Sequence, residues 1–61
     1  ISLSRADQVA LETLPRVGPA TAQRIIAWRE SNGPFRSVED LLAVSGIGPA
    51  TLEGLADLVV P

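Results

Sequence analysis

Sixty-one residues with a formal net charge of −2 make one small domain, and a chain this short buries only about 60 % of its unfolded surface, so its packing has to be efficient. It contains no Cys and no His, which excludes disulfides and thiolate metal sites and removes the usual general base and zinc ligand. No catalytic constellation or metal cluster is visible, so no enzyme activity, cofactor or metal is expected, and no apolar run approaches the length of a membrane span.

Ile1 to Ala6 alternates apolar and polar residues without a helix signal. It reads as an extended arm with Ile1 and Leu3 tucked against the core. Asp7 is a good N-cap for a first helix over about 8–14, with Val9, Leu11 and Leu14 as its apolar positions and Pro15 as its stop. The second helix is predicted from Pro19 to about Ser31. Ala22, Ile25, Ile26 and Arg29 fall at i, i+3, i+4 and i+7 on one face. Asn32-Gly33-Pro34 ends it, with Gly in the left-handed position after the helix.

Phe35 comes next and reads as a plug between two halves, with Trp28 flanking the core as a packing residue. Ser37 is the N-cap of a third helix, and Asp40 at its third position makes a variant capping box. Leu41, Leu42 and Val44 are apolar there. The fourth helix starts at Pro49 and carries Leu52, Leu55, Ala56 and Val59 on one face. Gly54 inside it is worth about 1 kcal/mol less than Ala in helix propensity. The predicted core is Leu14, Val17, Ile25, Ile26, Phe35, Leu41, Val44, Ile47, Leu52 and Leu55.

The chain is built on a duplication. Leu14-Pro15-Arg16-Val17-Gly18-Pro19-Ala20-Thr21 returns thirty positions later as Val44-Ser45-Gly46-Ile47-Gly48-Pro49-Ala50-Thr51. Gly18, Pro19, Ala20 and Thr21 recur unchanged, Leu11 pairs with Leu41, and Ile25 pairs with Leu55. A fixed-period echo of this kind means one supersecondary unit used twice. Repeat one covers about 7–31 and repeat two about 37–60 of a single domain, 1–61. The expected fold is all-α, a compact bundle of short helices made of two helix–hairpin–helix units.

Each hairpin ends in Gly-Pro at a helix start. Proline is pre-set for the first helical turn, and the next N–H groups lack helical partners, so the arrangement is an anion site. Gly48 is expected in a left-handed conformation, so Gly48→Val should break the second hairpin.

All five cations are arginines, set against seven acids. Residues 1–30 carry a balance of +1 and residues 31–61 a balance of −3, so the first repeat is expected to contribute more to binding a phosphate. Arg16 sits within its hairpin. Arg24, on the second turn of its helix, is expected to flank the same groove. Thr21 and Thr51 can offer hydroxyls to a phosphate or cap the first turn. Arg29 lies on the apolar stripe and reads as structural, paired with an acid. Glu39 and Asp40 read as acids favoured in a first helical turn.

These hairpins look like paired helix-hairpin-helix motifs. The linker Trp28-Arg29-Glu30-Ser31-Asn32-Gly33-Pro34-Phe35-Arg36-Ser37-Val38-Glu39-Asp40-Leu41-Leu42 and the lead-in Ile1-Ser2-Leu3-Ser4 resemble the ComEA competence family. The resemblance covers essentially the whole chain. It implies a receptor domain for double-stranded DNA in natural transformation (DNA uptake), binding without sequence preference on the outer side of the cytoplasmic membrane. An anchor or signal segment would precede the domain and lies outside this sequence, which begins at Ile1 and reads as a piece of a longer protein. This fragment itself would make no membrane contact, and other competence-machinery proteins are further candidate partners.

Carried over from the family, the phosphate-contacting positions are Arg16, Val17 and Gly18 in the first hairpin and Gly46, Ile47 and Gly48 in the second. Ala20, Thr21, Ala50 and Thr51 join them at the helix starts. Two departures stand out. Arg16 replaces the usual first hairpin Gly, which points to a strained or altered turn. The family's Lys positions after Gly-Pro are Ala and Thr here, which lowers the expected affinity because each neutralised phosphate drives binding by counterion release. Two readings from other classes stay open. One is a protein-interaction module of the same fold, in keeping with the acidic balance. The other is a DNA-anchoring domain cut from a nuclease, ligase or recombination factor.

Overall fold

Asp7 opens the first helix as its side chain dictates. Its backbone is extended, and its carboxylate accepts the Ala10 N–H at 2.9 Å, satisfying a donor that a helix start leaves orphaned. In the computed structural model, which describes residues 1–61, α1 spans Gln8–Glu12. It stops short of residue 14 because Leu14 and Pro15 already belong to the hairpin turn. The second helix, α2, spans Pro19–Asn32 and is capped by Gly33 at φ 87°, the left-handed stop expected of Gly before Pro.

The second unit opens on Ser37. The Asp40 carboxylate accepts the N–H groups of Arg36 at 3.0 Å and Ser37 at 3.3 Å, and the capping box forms. The Arg36 N–H bond, then those from Ser37, hold the Asp40 carboxyl below its ordinary value of 3.8. The box opens a 3₁₀ helix, Val38–Ala43, rather than an α-helix. A capping box sets where a helix starts and leaves its pitch open; six residues is a long run for the tighter winding.

The last helix, α3, spans Pro49–Leu55 and tightens into a 3₁₀ turn over Ala56–Leu58. It therefore ends before Val59, which was expected on its apolar face and is instead buried from extended backbone. The final residues are extended instead. Ser2 and Val60 form a parallel bridge, tied by Leu3 N–H to Val60 O and Val60 N–H to Ile1 O, both at 2.8 Å. The two ends of the chain thus clasp each other. Leu3 is fully buried there, whereas Ile1 remains 43 % exposed, so only one of the two arm residues is tucked in.

The core obeys the duplication. Leu11, Leu41, Ile25 and Leu55 are fully buried, as two equivalent pairs, and Leu14, Val44, Val17 and Ile47 extend them. Ile26 and Leu52 pack against the cluster half-buried, and Leu3, Ala22 and Val59 join it. Each such aliphatic side chain contributes about 1.5–3 kcal/mol on burial.

Phe35 fills the junction, buried and stacked on Trp28 with ring centroids 4.5 Å apart. Its N–H donates to the Ser4 hydroxyl at 2.9 Å, and that hydroxyl donates to the Pro61 carbonyl at 2.6 Å. Arg29 is structural as expected, but its partner is the Leu3 carbonyl at 3.0 Å rather than an acid. Trp28 and Arg29 therefore brace the arm and the linker.

Candidate nucleic-acid interface

Both hairpins are the same β-turn. Val17 N–H donates to Leu14 O at 3.2 Å, and Ile47 N–H donates to Val44 O at 3.1 Å. The third residue of each turn has positive φ: 62° at Arg16 and 94° at Gly46. That is the requirement of a type II turn, which normally places Gly there. Arg16 is the one non-glycine residue with positive φ in the chain. Its turn keeps the geometry of its equivalent and carries a left-handed conformation worth about 1–2 kcal/mol of strain for an L side chain.

Gly48 differs from expectation, and its equivalent Gly18 shares its conformation. The φ values of Gly18 and Gly48 are −93° and −104°, ordinary extended backbone open to any residue. A Cβ placed on either would meet no atom within 4 Å. Gly48 is thus not the left-handed residue, and a side chain there would fit the fold. What these glycines provide is bare backbone in front of a helix start.

The first helical bonds are Ala22 N–H to Gly18 O at 2.9 Å and Leu52 N–H to Gly48 O at 3.0 Å. Pro19 and Pro49 have no N–H, and neither helix has a side-chain cap. The N–H groups of Gly18, Ala20 and Thr21, and of Gly48, Ala50 and Thr51, donate to no protein acceptor. Gly18, Ala20, Gly48 and Ala50 are exposed, while Thr21 and Thr51 are half-buried. Each hairpin therefore presents three open amides at the positive end of a helix.

Val17 and Ile47 have a different role. Their side chains are buried and their N–H groups close the turns, so they hold each hairpin from inside.

Arg16 is exposed at the tip of the first hairpin. Arg24 reaches the second hairpin. Its Nη1 lies 3.0 Å from where a Cβ on Gly46 would stand, and the Thr21 Oγ1 lies 3.6 Å from the same point. The start of α2 is thus packed across the second hairpin. The charge balance of the two halves of the chain is consequently not the charge balance at the two hairpins. Sequence reasoning missed this crossing, although Gly54 standing thirty positions after Arg24 signals that the two helices are not equivalent there.

A sequence model of the helix-hairpin-helix motif matches residues 1–60. The chain belongs to the helix-hairpin-helix family. It is 42 % identical over 53 residues to ComE operon protein 1 of Bacillus subtilis, covering 87 % of this chain and 26 % of that protein. It is 43 % identical over 53 residues to the human endonuclease/exonuclease/phosphatase family domain-containing protein 1, covering 87 % of this chain and 9 % of that protein. A 37-residue stretch is 51 % identical to the kinesin-like protein KIF22 of Xenopus tropicalis, covering 61 % of this chain and 6 % of that protein. This helix-hairpin-helix chain therefore spans about a quarter or less of each of these relatives.

Proposed function

We propose that this domain binds double-stranded DNA through the phosphate backbone, without sequence preference, each hairpin holding phosphates with its open amides. The observation that carries the reading is the pair of unpartnered amide triads at Gly18, Ala20, Thr21 and Gly48, Ala50, Thr51. Main-chain N–H groups at a helix start suit phosphate oxygens and carry no base information. Arg16 and Arg24 supply the positive charge nearby. Gly46 gives the second turn its shape, and Val17 and Ile47 act by holding the hairpins in place.

Family membership and the likeness to ComE operon protein 1 support a role as the DNA-receptor domain of a competence protein. In that role it would work outside the cytoplasmic membrane, carried by further segments of a longer protein. The domain acts by binding, with chemistry left to partners. A second parent architecture is favoured by the match to the endonuclease/exonuclease/phosphatase family domain-containing protein 1: a DNA-anchoring domain attached to an enzyme.

The net charge of −2 predicts modest affinity, since binding to duplex DNA scales with the number of phosphates neutralised. The test is a titration of two labelled duplexes of unrelated sequence at several salt concentrations. The expected result is equal affinity for both, a steep fall with salt, and a marked loss in Arg16→Glu. Absence of binding at low salt would overturn the reading in favour of a protein partner.

A further inference from the structure

We infer that Arg24, a residue of the first repeat, is the phosphate-binding cation of the second hairpin. The inference rests on the DNA-binding reading and assigns a specific division of labour within it.

The second hairpin has no cation of its own. Residues 44–51 are Val, Ser, Gly, Ile, Gly, Pro, Ala and Thr, and α3 and its 3₁₀ extension add Glu53 and Asp57. Taken alone it would present three amides among acids, a poor seat for a phosphate. Arg24 corrects this from outside. Its guanidinium reaches the bare face of Gly46, with Nη1 3.0 Å from the Cβ position. Its side chain is exposed. A guanidinium offers a planar fork of donors suited to two phosphate oxygens.

The duplication makes the assignment more specific. Position 16 is equivalent to 46, and position 24 to 54. The first hairpin has Arg in the turn, and the equivalent of Arg24 on the other helix is Gly54. The second hairpin has Gly in the turn and Arg24 across it. Each hairpin thus receives one arginine, and both come from repeat one. A Cβ on Gly54 would meet nothing within 4 Å, so a side chain fits there.

The experiment tracks backbone amide resonances of the 61-residue chain during titration with a short duplex. It compares wild type, Arg24→Gln, Gly54→Arg and the double variant. In Arg24→Gln, affinity should fall roughly three- to tenfold and the salt slope should shrink by about one. DNA-induced shifts at Gly46, Gly48, Ala50 and Thr51 should shrink, while those at Arg16, Gly18, Ala20 and Thr21 persist. In Gly54→Arg, affinity should rise and the first-hairpin shifts should grow. The double variant should regain affinity without regaining the second-hairpin shifts. If Arg24→Gln diminishes the first-hairpin shifts, diminishes both sets equally, or leaves affinity unchanged, the inference is overturned. A wild-type chain that moves no hairpin amide would instead overturn the DNA reading, and the inference with it.

Discussion

The two hairpins share one backbone and differ in one side chain. Both are closed by the same turn bond, both put their third residue at positive φ, and both leave open the amides of the Gly before Pro and of the two residues after it. At the strained position the second uses Gly46, which adopts it freely, whereas the first uses Arg16, which does not. Gly46 in turn leaves room for Arg24. A backbone outlier held at the tip of an exposed loop points to function. At Arg16 the strain sets a cation at the exposed tip of the first hairpin.

The cores beneath the two hairpins should prove equivalent. Leu11 and Leu41 are both fully buried. Leu11→Ala and Leu41→Ala should each remove about 2–5 kcal/mol. In a domain this small either loss approaches the whole stability. Denaturant unfolding should show similar losses for the two; a strongly unequal pair would mean that one repeat alone carries the fold.

Substitutions at the turn residues should then act with opposite sign. Arg16→Gly relieves the left-handed strain and should raise stability by up to about 1 kcal/mol, the gain being limited by the extra freedom of Gly when unfolded. It should also weaken DNA binding. Gly46→Ala should lower stability by about 1–2 kcal/mol, because Ala must adopt the conformation that Gly accepts. Its methyl would also crowd Arg24 at 3.0 Å. Thermal unfolding and duplex titration of the two variants read both effects; a stability loss in Arg16→Gly would show that Arg16 makes a structural contact outweighing its strain.

Gly48→Val sharpens the contrast between turn glycine and approach glycine. Because φ is −104° and the space is open, the fold should survive with a loss below about 1 kcal/mol. Binding should drop severalfold or more, since the side chain stands between a phosphate and the open amides. A variant that unfolds would restore the view that Gly48 shapes the hairpin.

The smallest effect concerns Asp40, the cap of the second repeat's 3₁₀ helix. Its folded value lies below 3.8 because the Arg36 and Ser37 N–H groups bind the charged form. A depressed carboxyl contributes stability that is present above its unfolded value and lost as pH falls through the folded one. Wild type should therefore lose this contribution below about pH 3.8. Asp40→Asn should be slightly less stable at neutral pH and flatter across that acid range in pH-dependent thermal unfolding.

Much of the fold was legible because it is local or periodic. The thirty-residue echo shows in Gly18-Pro19-Ala20-Thr21 and Gly48-Pro49-Ala50-Thr51. The caps at Asp7 and Gly33 and the capping box at Ser37 and Asp40 are short-range chemistry. The left-handed residue was misplaced because Gly-Ile-Gly does not say which glycine needs positive φ. Arg16, standing where a hairpin Gly is usual, does signal the strained position, and its equivalent Gly46 shares the positive φ. The clasp between Ser2 and Val60 joins opposite ends of the chain, and no periodicity encodes it. Arg24 over Gly46 is likewise a contact between repeats, invisible while each repeat is read alone.

On the proposed reading, amides left open by a duplicated turn hold the DNA backbone. The most direct measurement maps which backbone amides of the wild-type chain shift when a short duplex is added at low salt. Gly18, Ala20, Thr21, Gly48, Ala50 and Thr51 should move together, with the Ser2–Val60 clasp unaffected. Shifts confined to the clasp or to the Trp28–Phe35 face, with these six amides still, would contradict it.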